Sequence, residues 1–288
     1  MLDHLTSPAR SILRAAARPE TYAAQVREVT SLAVTAAVWP FGWIDRGLSE
    51  LRSRAAADSS PVATPVLLVH GYGANKSNWF LIERELRSVG FERLHGINYN
   101  PLTTTIPDIA DTVVDRARQL MAHFGVDRVH VIGHSTGGLV ARWAVQIGGL
   151  DECGVCVTIA APHQGTPAAT FAPGAVGRGL RPGSEVVRRL HASSRRLSTR
   201  FVAFYSNVDM LSPGDRSTIP EPVLRATNVL VKDEGHLSLM LSRRVAMAVA
   251  AQLAAAEGLP GYGAPVAGMG ADDQVTAAPA PVRQVAGG

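Results

Sequence analysis

Val66-Leu67-Leu68-Val69 is a run of four apolar residues closed by the turn-forming stretch His70-Gly71-Tyr72-Gly73. The run is too short for a helix and suits a strand buried on both faces. Strands of that kind belong to parallel sheets covered by helices on either side. The pattern recurs along the chain. Residues 94–99, 129–132, 155–160, 201–205 and 228–231 read as further strands. Between them the spacing turns helical, at residues 79–89, 106–124, 139–147 and 237–253. The alternation predicts an α/β domain with a mostly parallel central sheet flanked by helices.

The chain has 288 residues, 46% of them hydrophobic, enough for one sizeable core. Residues 61–257 carry the strand–helix rhythm and are expected to form one domain. Residues 1–60 read as an Ala- and Arg-rich helical extension that ends in the linker Asp58-Ser59-Ser60-Pro61. Its apolar stretch, Ser31 to Ile44, is broken by Pro40 and Gly42 and falls short of the ~20 residues a membrane span needs. It also begins too late, after Asp3, Glu20 and Glu28, to resemble a signal peptide. Residues 167–200, rich in Gly, Pro, Ala and Arg, interrupt the rhythm as an irregular insert and are expected to form a cap or lid. Residues 258–288 lack periodicity and are expected to be a disordered tail.

The net charge is only +4, and no aromatic residues interleave the basic clusters, so nucleic acid is not an expected partner. Arg181, Arg188, Arg189, Arg195 and Arg196, and again Arg10, Arg14 and Arg18, read as solvated faces, with weak attraction to an anionic membrane surface as the second reading. The two cysteines, Cys153 and Cys156, form a lone C-x-x-C without the further ligands of a zinc site. Cys156 falls inside an apolar strand and reads as a small core residue. Localisation is not fixed by these features. A cytoplasmic or peripherally membrane-associated place is favoured, and secretion stays open.

The strongest local signal is Gly133-His134-Ser135-Thr136-Gly137, a G-x-S-x-G that follows the strand at 129–132 and leads into the helix at 139–147. In that setting the serine stands at the tip of a tight strand-to-helix turn. Side chains at 133 and 137 would collide there, and the following helix points free N–H groups at the reacting oxygen. Ser135 is therefore the candidate nucleophile.

A serine hydroxyl needs a base, and the base an orienting acid. On this kind of strand–turn–helix scaffold the chain order is Ser, acid, His. After Ser135 come His163, His191 and His236. His163 comes too early to follow an acid. His191 sits in the Arg-rich insert, where a solvated histidine is expected. His236, between the last strand and the last helix, is at a strand's C-terminal end, where sites gather in open α/β sheets. It is the candidate base. For the acid, Asp209, four residues past the strand at 201–205, is favoured over Asp215. The oxyanion donors are expected to be the backbone N–H groups of Thr136, after the nucleophile, and of Tyr72 in the His70-Gly71-Tyr72-Gly73 loop.

With these residues placed, the chain resembles the bacterial triacylglycerol lipases and esterases of the α/β-hydrolase superfamily. The likeness rests on Val69-His70-Gly71-Tyr72-Gly73, on Gly133 to Gly138, and on Ala161-Pro162-His163-Gln164-Gly165-Thr166-Pro167. It extends to Asp209 in Asn207-Val208-Asp209 and to Gly235-His236-Leu237. It covers roughly residues 62–256. The resemblance implies the α/β-hydrolase fold, with the stretch at 167–200 lying over the active site. It also implies hydrolysis of carboxylic esters, acyl-glycerols or other lipid-like esters, through an acyl-enzyme with no metal or organic cofactor. An acyltransferase, thioesterase or amidase would use the same Ser135, His236 and Asp209. A catalytically silent binding protein on this fold is the reading from a different class. The acyl chain, the natural substrate and the oligomeric state are not legible in the sequence.

Overall fold

The computed structural model describes residues 19–40, 42, 61–262 and 275–278. The basic cluster at Arg10, Arg14 and Arg18 and most of the linker before Pro61 lie outside the described residues. Seven strands form one sheet in the order β2-β1-β3-β4-β5-β6-β7. They are β1 (Val66–Val69), β2 (Leu94–Ile97), β3 (Val129–His134), β4 (Cys153–Ile159), β5 (Arg200–Ser206), β6 (Thr227–Val231) and β7 (Val275–Ala278). The first six are parallel and β7 is antiparallel to β6. The expectation of a disordered tail is corrected over those four residues. Without them β6 would be an open edge, and pairing satisfies its outward N–H and C=O groups. Residues 263–274 and 279–288 lie outside the described part.

The helices are α1 (Pro19–Val38), α2 (Phe80–Ser88), α3 (Ile106–Phe124), α4 (Thr136–Gln146), α5 (Gly174–Gly179), α6 (Glu185–Ala192), α7 (Gly214–Ser217), α8 (Ser238–Leu241) and α9 (Arg243–Ala256). The last predicted helix is thus two, because Ser242 is extended (φ −83°, ψ 116°). Helix α3 matches its expected bounds, with Thr105 closing a capping box with Asp108 at its start and Gly125 at φ 64° ending it. The insert at 167–200 is less irregular than its composition suggested: it holds a 3-10 turn (Pro167–Phe171), α5 and α6. Among the described residues no helix is long and apolar enough to cross a membrane.

Alternation along the strands divides the core. Leu67, Val69, Val131 and Cys156 pack with α3 and α4 on one face. Val66, Leu68, Ile132 and Val157 pack with α2 and α9 on the other. Both cysteines are free and buried, and burial raises the Cys156 thiol to about 12, so neither is a reactive thiolate. The register levels the strand ends: Val69 pairs Gly133, His134 pairs Ile159, Ile159 pairs Phe204, and Ser206 pairs Val231. The loops after β1, β3, β5 and β6 therefore leave from one edge of the sheet. Strand order reverses at β1, with β2 on one side and β3 on the other, which is where open α/β sheets hold ligands.

Candidate active site

Ser135 joins β3 to α4 at φ 52° and ψ −121°, a region that a residue with a side chain rarely enters. The strain is held from both sides. The Ser135 N–H donates to the Ile159 carbonyl at 2.8 Å, and the Gly138 N–H to the Ser135 carbonyl at 2.9 Å. The flanking glycines are required by contact: a Cβ at 133 would strike the Gly137 backbone, and one at 137 the carbonyls of Val69 and His70. The turn therefore depends on β1 and β3 lying side by side.

His236 follows β6 and Asp209 follows β5. The His236 Nδ1 lies 2.8 Å from Asp209 Oδ2, and Asp209 Oδ1 accepts the N–H groups of Leu211 (2.9 Å) and Ser212 (2.8 Å). Burial alone would lower the His236 pKa. The Asp209 charge, its hydrogen bond and the Glu28 charge outweigh it and raise the pKa above the ordinary 6.5. Asp215 is instead exposed on α7, where its carbonyl accepts from the Gln164 side chain.

Ser135 and His236 line one cavity of about 310 Å³, together with Tyr72 and Thr136. Neither the Tyr72 N–H nor the Thr136 N–H donates to any group among the described residues. The rest of the wall is largely apolar, including Leu32, Ala168, Ala172, Leu180 and Leu211. The insert reaches this loop directly, since the Tyr72 hydroxyl donates to the Pro173 carbonyl at 2.8 Å.

Sequence reasoning missed several residues that shape the site. His134 is buried, and burial, reinforced by His236, holds its pKa at about 3. Its neutral ring donates from Nε2 to the His236 carbonyl at 3.2 Å, tying β3 to the base's loop. His70 stacks on Tyr99 at 4.2 Å and accepts the Tyr99 N–H at Nε2, leaving Nδ1 to donate to the Gly71 carbonyl at 2.8 Å. Thr166, in the quoted Pro-His-x-Gly-Thr segment, donates from its hydroxyl to the Leu211 carbonyl at 2.6 Å and so braces the Asp209 loop. All three stand in motifs the sequence singled out, but their roles depend on partners distant in the chain, which no local pattern announces.

The remaining histidines have other partners. His163 is buried with its Nε2 at 2.9 Å from the Thr158 hydroxyl. His191 is half-buried against Glu221, correcting the expectation of a solvated ring: Glu221 is drawn inward by the buried Arg142 at 2.7 Å. Arg181, Arg188, Arg189, Arg195 and Arg196 are exposed as expected. Among the described residues no group of three His, Cys, Asp or Glu side chains is placed to hold a metal ion.

A model of the alpha/beta hydrolase family matches residues 66–287, most of the chain. The chain belongs to the alpha/beta hydrolase family. This hydrolase is 29% identical over 136 residues to a triacylglycerol lipase of Burkholderia plantarii, a match covering 43% of this chain and 37% of that protein. It thus spans little more than a third of that relative. In structure it is similar to the mature lipase BlEst2 of Bacillus licheniformis, with TM-score 0.55 and 16% identity over 62% of this chain and 87% of that one. It is similar also to a monoacylglycerol lipase of Paleococcus ferrophilus, with TM-score 0.53 and 17% identity over 67% and 96% of the two chains. These structural likenesses carry the fold.

Proposed function

We propose that this hydrolase cleaves carboxylic esters through an acyl-enzyme on Ser135. The observation that carries the reading is the His236 ring, held by Asp209 at 2.8 Å and facing the cavity in which Ser135 stands on its strained turn. The Ser135 Oγ attacks the ester carbonyl and its proton passes to His236 Nε2. Asp209 fixes the imidazole tautomer and stabilises the imidazolium. The oxyanion accepts hydrogen bonds from the N–H groups of Tyr72 and Thr136, which have no competing acceptor among the described residues. The imidazolium then protonates the leaving alcohol, and water, activated by the same ring, frees the acyl group.

The apolar wall suits an acyl chain, and names such as triacylglycerol lipase among the relatives support a lipid-like ester. At about 310 Å³ the cavity is at the small end of ligand sites, ~300–1,000 Å³, which favours short to medium chains. Residues 167–200, which give it Ala168, Ala172 and Leu180, serve as its cap.

The test is a series of p-nitrophenyl esters from acetate to palmitate, on wild type and Ser135→Ala. The expected result is hydrolysis peaking between butyrate and octanoate, lost by at least about 10³-fold in the variant. Equal activity of the two proteins would overturn the reading. Added alcohol as acceptor separates hydrolysis from acyl transfer.

A further inference from the structure

Helix α1 precedes the matched family region, yet it reaches the site at three points. On its inner side Leu32 and Thr35 line the cavity. At its C-terminal end the Trp39 indole donates to the Gly73 carbonyl at 3.2 Å, and the Trp39 carbonyl accepts from Asn75 at 2.7 Å. Both partners belong to the loop that carries Tyr72. Nearer its start, Glu28 turns its carboxylate onto the loop that carries His236. Its Oε1 accepts the Leu237 N–H at 2.9 Å, and its Oε2 accepts the Leu237 and Ser238 N–H groups at 3.0 and 3.1 Å. Arg27, next to it, donates to the Asp233 carbonyl and lies 3.6 Å from Glu234.

We infer that helix α1 completes the active site and that Glu28 is a positioning residue for His236. The inference rests on the proposed roles of Ser135 and His236. The two amides Glu28 holds are the first two after His236, so their position sets where the imidazole enters the cavity. The fit is specific on both sides. A Cβ at 235 would overlap the Glu28 carboxylate, so Gly235 supplies the space the carboxylate fills. An exposed helix docked only for stability has no need of an acidic side chain inserted beside the candidate base. A carboxylate hydrogen-bonded to two amides is also fixed in place, so its charge acts on His236 at a constant distance.

Around His236 the titratable groups are Asp209 after β5, His134 at the end of β3 and Glu28 on α1. Glu234, two residues earlier, is paired with Arg27 and Arg244. Glu28 favours the protonated imidazole, so neutralising it lowers the pH at which the base is lost.

The experiment compares wild type, Glu28→Gln and Glu28→Ala in the full chain. It measures Ser135 labelling by a fluorophosphonate, kcat and KM across pH, and thermal unfolding. Glu28→Gln keeps the shape and one acceptor, and its acidic limb of kcat/KM is expected to move down by about half a pH unit. Glu28→Ala is expected to lose about tenfold in kcat with KM little changed, because misplacing the base costs the chemical step. A purely structural role would lower Tm and leave the acidic limb where it was. An unmoved limb in Glu28→Gln together with full kcat in Glu28→Ala overturns the inference while wild type still labels. A folded wild type that does not label overturns the Ser135 reading, and this inference with it.

Discussion

One carboxylate of Asp209 divides its two oxygens between tasks: Oδ2 meets His236 Nδ1 at 2.8 Å, while Oδ1 is held by the amides of Leu211 and Ser212. The amides hold the carboxylate through the oxygen that does not face the histidine, so the pair is held from the acid's side. Asp209→Asn is expected to cut kcat by about 10⁴-fold with little change in KM, because the amide stabilises the wrong tautomer. Asp215→Ala, at an exposed turn, is expected to stay within about twofold of wild type. Steady-state kinetics on a p-nitrophenyl ester checks both, and equal losses in the two variants would mean the acid is misassigned.

The proposed base works only when unprotonated, and its pKa is raised above 6.5. The acidic limb of kcat/KM is therefore expected with its midpoint above 6.5. A limb at or below that value in wild type would contradict the balance of charges described for His236.

Stability against pH has a separate cause. Burial lowers His70 and His95 to about 4 and His134 to about 3, so the folded state refuses protons that the unfolded chain takes up below 6.5. The stability these rings contribute is present above pH 6.5 and is lost as pH falls towards 4. The loss can reach about 1.4 kcal/mol per pH unit for each ring. His236 acts in the opposite sense, adding stability below 6.5, but one raised group is set against four lowered ones, since burial also holds His163 well below 6.5. Urea denaturation at a series of pH values is expected to show the midpoint falling across that window. A flat profile would mean the rings gain partners on acidification.

The proposed oxyanion donors are backbone N–H groups, so their side chains are expected to be dispensable. Thr136 Oγ1 is buried without a hydrogen-bond partner among the described residues. Thr136→Val keeps the shape and removes an unsatisfied group, so it is expected to retain kcat within about threefold and to gain up to about 1 kcal/mol in stability. A loss of more than about 100-fold in kcat would show that the hydroxyl, rather than the N–H, serves the reaction.

Arg142 is fully buried on α4 and is neutralised by Glu221 at 2.7 Å. Burial alone would raise the Glu221 pKa. The His191 hydrogen bond and the Arg142 charge overcome this and bring it to about 2. Glu221→Ala leaves a charged guanidinium without its partner and is expected to cost about 3–5 kcal/mol. Chemical denaturation measures it, and a cost under about 1 kcal/mol would mean that water replaces the carboxylate.

Much of the architecture was legible because it is locally encoded. Four-residue apolar runs such as Val66–Val69 cannot be helices, and Ile106–Phe124 carries both its own cap and its own stop. The tail was misread over Val275–Ala278 because its pairing depends on β6 presenting an open edge, which composition does not record. His191 was misread for a like reason. Its partner Glu221 is held by Arg142, a residue of another helix.

The sequence by itself determined the sheet's rhythm, the serine turn between its glycines and the order Ser135, Asp209, His236 along the chain. Short-range sterics and chain order dictate these. Only the tertiary structure brought Asp209 Oδ2 to 2.8 Å from His236 Nδ1, oriented His134 and His70, and placed Glu28 on the loop of His236. Those relations join residues up to 210 positions apart. They are set by strand register and by how helices dock, which depend on the whole packed sheet and on no single stretch of chain.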